Sequence, residues 1–412
     1  MRKILIGLAG LIGFMGLTPI NPANSFLPIN SVHAQDSNRI TLQVDVQHFF
    51  IDNEYIANRI DGYTLPGFVL RPYVSWQVNP KVELQIGANW LHYWGNTGFP
   101  KGPLNEIRPA ANDTVDAIHL LPWMQAKISF TPEIQLVIGS LVNTDGHGLP
   151  YPLYNPERIY AVDPESGLQM LFDYRHLKAD IWVDWRNFIW QHSNTQEVFN
   201  AGLSLLPRWP VGDKWEMYLP LHVLVQHHGG QALTDRNMGH DNRWNSSAGI
   251  GLRYSHKDLA LSAEAHAMYY CRTGEPEGTL VYDEWGCLRS YPLNFKQGWG
   301  GYALLRTNYR NSELEMSYWA SEKFIPLLGL YHFSNISSNT PNITFDRIQV
   351  ITLRGSHTVQ LGVCDLTLLG GFHYYFPYTG DRKDYWKCYM PDTGMFSLGC
   401  LINIHPSITL LR

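Results

Sequence analysis

The stretch from Lys178 to Trp190 constrains the fold more than any other part of the chain, because its two sides differ in chemistry. Successive side chains of a strand point to opposite faces. One face carries Ala179, Ile181, Val183 and Trp185, and the other carries Asp180, Trp182, Asp184 and Arg186. Many such strands without helices favour a membrane β-barrel, whose apolar face meets lipid and whose charged face lines the lumen.

The composition supports one membrane domain. Of the 412 residues, 45% are hydrophobic and 16% are charged, and the chain contains 23 Tyr, 17 Phe and 14 Trp. A formal net charge of −5 argues against nucleic acid as a partner. No linker or charge run marks a domain boundary.

The N-terminus has the pattern of a secretory signal. Arg2 and Lys3 precede an apolar run from Ile4 to Leu17, and Val32-His33-Ala34 forms a cleavage pattern before Gln35. We therefore predict a signal peptide over residues 1–34 and one barrel domain over residues 35–412. Beyond residue 35 no apolar segment approaches the roughly 20 residues of a spanning helix, so membrane insertion requires a closed barrel.

Short turns alternate with long loops along the chain. Phe68 to Val78 pairs with the next strand across Asn79-Pro80, and Ile118 to Phe130 pairs similarly across Thr131-Pro132. The pattern predicts an all-β, transmembrane, antiparallel up-and-down barrel of about 16 strands, with short periplasmic turns and long extracellular loops. A soluble all-β protein is the alternative, but it would need two or three separate cores.

The run from Pro132 to Trp185 resembles the middle strands of outer-membrane porins of Gram-negative bacteria. One strand ends in Ile138-Gly139-Ser140, a loop contains Gly146, Pro150, Pro152 and Pro156, and Pro164-Glu165-Ser166-Gly167-Leu168-Gln169 opens the next strand. The resemblance implies an exported protein of the outer membrane, with outer-membrane lipid and the assembly machinery as partners. The chain departs from many such barrels at its C-terminus, which ends in Leu410-Leu411-Arg412 rather than an aromatic residue.

Charged and aromatic residues opposite the apolar faces are the predicted lining of the pore. On the lipid side each charge would cost roughly 2–4 kcal/mol near the midplane. The predicted lining residues are Asp45, Arg71, Glu83, Lys127, Asp173, Arg175, Asp180, Trp182, Asp184, Arg186, Glu216, Arg253, Glu264, Arg306 and Glu315. They form either a wall that steers polar solutes or a mutually paired network without solute preference.

Three functions fit this architecture. The leading prediction is a porin-like channel for passive or weakly selective passage of small hydrophilic solutes through a mixed-charge lumen. The second is a non-conducting surface or scaffold barrel whose extracellular loops bind a partner or a glycan. The third, a barrel-embedded hydrolase, requires Ser, His and Asp or other carboxylate groups to converge at the rim.

Sequence motifs give no support for an enzyme, a cofactor or a metal site. The chain lacks a Gly-x-Ser-x-Gly elbow, a His-Glu-x-x-His motif and a phosphate-binding Gly loop. Asp180 and Asp184 lie roughly 13 Å apart on a strand, too far for a glycosidase pair. His227-His228, with His240 and Asp241, has ligand chemistry, but adjacent residues of a strand face opposite sides. We predict no metal site.

Two cysteines fall in one predicted extracellular loop. An exported chain favours a disulfide between Cys271 and Cys287. Such a bridge would stabilise the loop by roughly 3 kcal/mol. Cys388 is a competing partner.

Overall fold

A computed structural model describes residues 38–55, 60, 62–95, 118–143, 146–188, 197–229, 240–273, 280–282, 288–290, 295–337, 343–382, 386–390 and 393–411. The predicted signal segment lies outside these residues. Short 3₁₀ turns occur at Pro156–Tyr160 and Tyr331–Phe333. Within the described ranges no helix is long and apolar enough to cross a membrane.

The strands, in chain order, are β1 Arg39–Glu54, β2 Tyr63–Asn79, β3 Val82–Tyr93, β4 Ile118–Thr131, β5 Ile134–Ser140, β6 Ser166–Tyr174, β7 Leu177–Asn187, β8 Glu197–Val211, β9 Trp215–Tyr218, β10 Leu221–Gly229, β11 Asp241–His256, β12 Leu259–Thr273, β13 Leu280–Tyr282, β14 Leu288–Ser290, β15 Gln297–Tyr309, β16 Ser312–Glu322, β17 Ile343–Phe345, β18 Arg347–Gln360, β19 Cys364–Tyr375, β20 Tyr378–Arg382, β21 Trp386–Met390, β22 Thr393–Ile404 and β23 Ser407–Leu411.

Eighteen of these segments close into an antiparallel barrel of 16 strands, as the sequence predicts. Segments β9 and β10 both lie between β8 and β11, so they form one strand interrupted at Pro220, which has no N–H to donate. In the same way β22 and β23 form one strand that pairs with β1 and closes the ring. The ring of paired strands is thereby closed among the described residues, as lipid requires of a spanning sheet.

Alternation along each strand gives the barrel an apolar exterior. On β7, Ile181 and Trp185 are exposed, whereas the alternating residues Asp180, Trp182 and Asp184 are buried on the interior face. Exposed aromatic side chains lie toward both ends of the wall, as the interfacial girdles of membrane barrels do. They include Phe50, Trp94, Trp185, Trp244 and Trp299 at the long-loop end, and Trp76, Trp209, Trp215 and Tyr309 at the short-turn end.

The long-loop half of the interior is occupied by residues 141–143, 146–165 and 323–337, which we call the plug. Leu153, Tyr154, Phe324 and Phe333 are buried and belong to an apolar cluster with interior wall residues such as Trp319. A second cluster packs Tyr160 and Ala161 against β1, β2 and β3. The sequence predicts an extracellular loop around Gly146, Pro150, Pro152 and Pro156, but this segment lies inside the barrel, because burial there removes its apolar side chains from water.

The two plug segments are joined to each other and to the wall. Tyr154 and Leu328 form a parallel bridge, and the Leu330 N–H donates to the Tyr151 carbonyl at 3.0 Å. The Asn245 side chain on β11 accepts from the Leu327 N–H at 2.8 Å and donates to the Ile325 carbonyl at 2.9 Å. A backbone N–H or C=O group that is buried without a hydrogen bond costs free energy. The hydrogen bonds to Asn245 therefore reduce the free-energy cost of burying segment 323–337.

The short-turn half of the interior is polar, and we call it the polar chamber. Its wall carries the partly exposed side chains of Asp45, Glu216, Arg253, Arg306 and Glu313. Arg253 pairs with Glu216 at 3.5 Å, and Arg306 with Glu313 at 3.8 Å. The interior is thus lined by partly exposed charges at one end and closed by the plug at the other.

Candidate functional site

A row of polar side chains crosses the interior wall where the polar chamber meets the plug. Direct cross-strand partners follow one another from β7 to β11: Asp180 opposite Ser204, Ser204 opposite His222, and His222 opposite Ser247. All four side chains are buried. Since opposite residues on one face lie about 5 Å apart, this register brings hydroxyl, imidazole and carboxylate groups together.

Ser247, His266 and Glu264 form a hydrogen-bonded relay on β11 and β12. Ser247 Oγ lies 3.0 Å from His266 Nδ1, and His266 Nε2 lies 3.0 Å from Glu264 Oε2. The Tyr218 hydroxyl donates to the other oxygen of Glu264 at 2.8 Å. A carboxylate that holds one imidazole nitrogen fixes the tautomer, so that the other nitrogen is available as a base for the serine hydroxyl.

A second serine and histidine lie beside this relay. Ser204 Oγ lies 3.1 Å from His222 Nδ1, and the rings of His222 and His266 are stacked with centroids 6.1 Å apart. Among the hydrogen bonds of the described residues, Glu264 binds His266, whereas no carboxylate binds His222 in the same way. The two pairs therefore differ in their capacity to activate a hydroxyl.

The local sequence explains this placement. On β12 the residues Ser262, Glu264 and His266 alternate with Ala263, Ala265 and Ala267, so every polar group points inward. Gly249 lies opposite His266, and a Cβ there would lie 2.7 Å from His266 Nδ1. Glycine at 249 thus leaves room for the imidazole to reach Ser247.

The relay lies under the plug and faces the polar chamber. Asn245, which binds the plug, is two residues from Ser247 on the same face of β11. On the other side, Glu264 retains partial exposure and lies near Tyr218 and Arg253, whose guanidinium is 5.4 Å from the Tyr218 ring. The relay therefore meets the polar chamber at Glu264.

A separate polar cluster fastens the plug to β7. His147 lies between two carboxylates, with Nε2 2.6 Å from Glu165 and Nδ1 3.0 Å from Asp180. Burial opposes protonation, but Asp180 and Glu165 outweigh it and raise the pKa of His147 to about 10. The same pairing, against the effect of burial, holds the pKa of Glu165 below its ordinary value. His147 carries no nucleophile on either nitrogen, and we assign it to anchoring the plug.

The residues proposed from sequence as pore lining occupy several different surroundings. Of the set, Asp45, Glu216, Arg253 and Arg306 lie in the polar chamber. Arg71 covers the Trp123 ring, and Glu83 accepts from Ser75. Lys178 and Arg208 both reach Asp173.

Asp180, Trp182, Asp184 and Glu315 are buried, and Arg186 binds Asp184. Lys127 alternates to the interior face opposite Glu83. Arg175 lies in the β6–β7 turn and is exposed, beyond the barrel wall.

The remaining site predictions concern cysteine and histidine. Cys271 has a free thiol among the described residues, and it alternates to the outward face of β12. Cys287 lies outside the described residues, so the disulfide stays a prediction. His227 and His228 lie on opposite faces of β10, and Asp241 is held by Arg243 and Arg272. No group of three or more possible metal ligands occurs in the part of the chain that the structure describes.

Sequence reasoning included Glu264 but missed its partners. Ser247, His222 and Ser204 are ordinary polar residues on strands, and their cross-strand register was not apparent from the sequence. The strict alternation of Ala with Ser262, Glu264 and His266 was the usable signal, because three consecutive inward positions carry groups that hydrogen-bond.

The chain is similar in architecture to several solved structures, one of which is an outer-membrane protein of Vibrio cholerae. OccAB2 of Acinetobacter baumannii is 12% identical, with a TM-score of 0.47 over 90% of this chain and 98% of that one. OccK1 (OpdK) of Pseudomonas aeruginosa is 10% identical, with a TM-score of 0.46 over 90% and 99%. OmpT of Vibrio cholerae is 10% identical, with a TM-score of 0.44 over 90% and 98%. These similarities concern the fold alone.

Sequence comparison places the chain in a family. No curated protein matches it. The family described as "Lipid A 3'-O-deacylase-type" matches residues 32–412, which include the whole barrel and both halves of the relay. The chain therefore belongs to the Lipid A 3'-O-deacylase-type family.

Proposed function

We propose that this outer-membrane barrel is a hydrolase of acyl esters, with Ser247 as nucleophile, His266 as general base and Glu264 as the group that orients His266. The observation that carries the proposal is the relay of two 3.0 Å contacts from Ser247 through His266 to Glu264. The family description agrees with ester cleavage. This proposal departs from the sequence-based prediction that the chain is not an enzyme.

The relay supplies each step of acyl transfer. His266 accepts the Ser247 proton while Oγ bonds to the acyl carbonyl carbon, and the bond to the alcohol then breaks as His266 returns that proton to the alcohol oxygen. Water, deprotonated by His266, hydrolyses the acyl-serine to a carboxylic acid and regenerates the hydroxyl. In the Ser-His-Asp template, the histidine Nε2 faces the serine and Nδ1 faces the carboxylate. In this relay Nδ1 of His266 faces Ser247 and Nε2 faces Glu264, as the positions of these residues on β11 and β12 require.

Surrounding groups support the relay. The Tyr218 hydroxyl holds Glu264 in place at 2.8 Å. His222 is adjacent and provides a hydrogen-bond donor for the developing oxyanion. The plug closes the long-loop side of the site, so the low-dielectric wall strengthens these interactions.

The experiment uses purified, folded barrel in detergent and a p-nitrophenyl acyl ester. Ser247→Ala should lower kcat/KM by about a thousandfold or more, because the nucleophile is lost. Ser129→Ala is the matched control, since Ser129 is also buried on the interior face but hydrogen-bonds to Gln135. Equal activity of Ser247→Ala and wild type would reject the assignment.

A covalent probe separates the two serines. A fluorophosphonate transfers its phosphorus to an activated hydroxyl and releases fluoride, and peptide mass spectrometry locates the modified residue. We expect the label on Ser247 and its loss in His266→Gln. Labelling of Ser204 would move the site to the Ser204–His222 pair, and an unlabelled folded barrel would overturn the proposal.

The channel predicted from the sequence is the second candidate function, and the partly exposed charges of the polar chamber favour it. The apolar plug disfavours it, because an aqueous path would have to cross buried Trp319, Phe324 and Phe333. Planar-bilayer recording of the wild-type barrel tests it directly. Stable conductance steps of porin size would support the channel.

A further inference from the structure

A groove of about 400 Å³ indents the outer, lipid-facing surface of the barrel across β8 to β15. Its floor is formed by Ser246, Ala248 and Ala267, and its sides by Leu221, Tyr269 and Trp299. All six side chains alternate to the exterior of the wall. His222, Ser247 and Met268 also line the groove, although their side chains alternate to the interior, so the groove and the relay lie on opposite sides of the same stretch of wall.

The depression follows from the cross-strand register. Ala248 lies opposite Ala267, and Ala267 lies opposite Gly301. A Cβ built on Gly301 would meet no heavy atom within 4 Å, so the surface there is open. Larger residues border this low area. Leu221 pairs with Ala248 on one side, and the Tyr269 and Trp299 rings, tilted by 42° with centroids 4.3 Å apart, lie on the other.

The position of the groove decides what occupies it. Its walls are mostly apolar and belong to the band of exposed hydrophobic side chains that must face hydrocarbon. Tyr269 and Trp299 lie toward the long-loop end of their strands, where the Tyr269 hydroxyl donates to Gln297 at 3.3 Å. Tyr and Trp with a polar tip mark the level of lipid head groups.

We propose that the groove is a binding site for one acyl chain of a membrane lipid, with the chain along Ala248 and Ala267 and the ester region beside Tyr269 and Trp299. A closely fitting groove retains more contacts with a chain than the convex wall around it does. Such a lipid exchanges more slowly than the lipids that surround the rest of the barrel.

Native mass spectrometry tests the site through lipid retention. The protein, carrying His266→Gln so that no ester is cleaved and no groove residue is altered, is extracted in mild detergent and mixed with a phosphatidylethanolamine of defined chains. We expect one retained lipid per barrel, and a loss of at least fivefold in Ala267→Leu, which fills the floor. Ala263→Leu is the matched control, because Ala263 faces outward on the same strand but outside the groove.

A second measurement distinguishes a filled groove from misfolding of the Ala267→Leu variant. Phospholipids with brominated acyl chains should quench the Trp299 contribution to fluorescence in wild type, and less so in Ala267→Leu. Equal lipid retention by wild type, Ala267→Leu and Ala263→Leu would overturn the proposal, as would retention lost equally in both variants.

Discussion

The imidazole of His147 stacks on the indole of Trp182, with ring centroids 4.4 Å apart and planes inclined by 24°. His147 belongs to the plug and Trp182 to β7, so this contact joins the plug to the barrel wall. The charged wall inferred from Asp180 and Asp184 is thus a site of attachment, because Asp180 is bound by His147, Gln169 and Asn143.

The attachment of the plug should depend on pH. The folded pKa of His147 is raised to about 10, so its contribution is full below its unfolded pKa of about 6.5 and is lost as pH rises through about 10. Glu165, whose pKa is lowered, contributes above its unfolded value and loses that contribution as pH falls through the folded one. Hydrogen exchange of segment 146–165, corrected for intrinsic rates, should be slowest between about pH 4.5 and 6.5. His147→Gln should flatten this profile, and a profile unchanged by that variant would contradict the anchor.

Removing the aromatic side chain of Trp319 should release segment 323–337. The Trp319 ring meets Phe324 at 5.1 Å and Phe333 at 5.5 Å, both edge-on. Trp319→Ala should cost about 3–5 kcal/mol of local stability through the cavity it leaves. Proteolysis of segment 323–337 in the folded barrel measures the release. Trp209→Ala, at an exposed exterior position, serves as control and should leave cleavage unchanged.

Deletion of residues 325–335 should convert a sealed barrel into a conducting one. The barrel of 16 strands is wide enough for an aqueous channel once the apolar filling is gone. In that deletion variant Glu216→Lys should shift selectivity toward anions, because Glu216 lies in the polar chamber. Asp180 is a poorer choice for charge reversal, since it is buried and its loss would disrupt the plug. Bilayer recordings with asymmetric salt measure both effects, and a deletion variant without conductance would show that other segments close the lumen.

Gly251→Ala should impair ester hydrolysis by displacing Tyr218, whose hydroxyl holds Glu264 in the relay. A Cβ at 251 would lie 2.2 Å from the Tyr218 ring, which must then move and release Glu264. We expect a fall in kcat with about 1–3 kcal/mol of destabilisation from overpacking. The control is Gly301→Ala, where the added methyl meets nothing within 4 Å. Equal kcat values in Gly251→Ala and Gly301→Ala would show that the position of Tyr218 does not affect the activity.

The sequence by itself determined the wall of the barrel. Apolar and polar residues alternate with the period of two that a strand imposes, as in Ile181 and Val183 against Asp180 and Asp184, and turns such as Asn79-Pro80 fix the order of strands. These are local properties, so the strand count and the inward faces followed from them.

Only the tertiary structure decided what fills the barrel and what meets across strands. The plug residues fold inward because their apolar side chains find partners on distant strands, and no local period shows this. In the same way Ser247 and His266 are 19 residues apart in the chain, and their 3.0 Å contact depends on the register between β11 and β12. Side-chain chemistry is local, whereas its convergence into a site is a property of strand pairing.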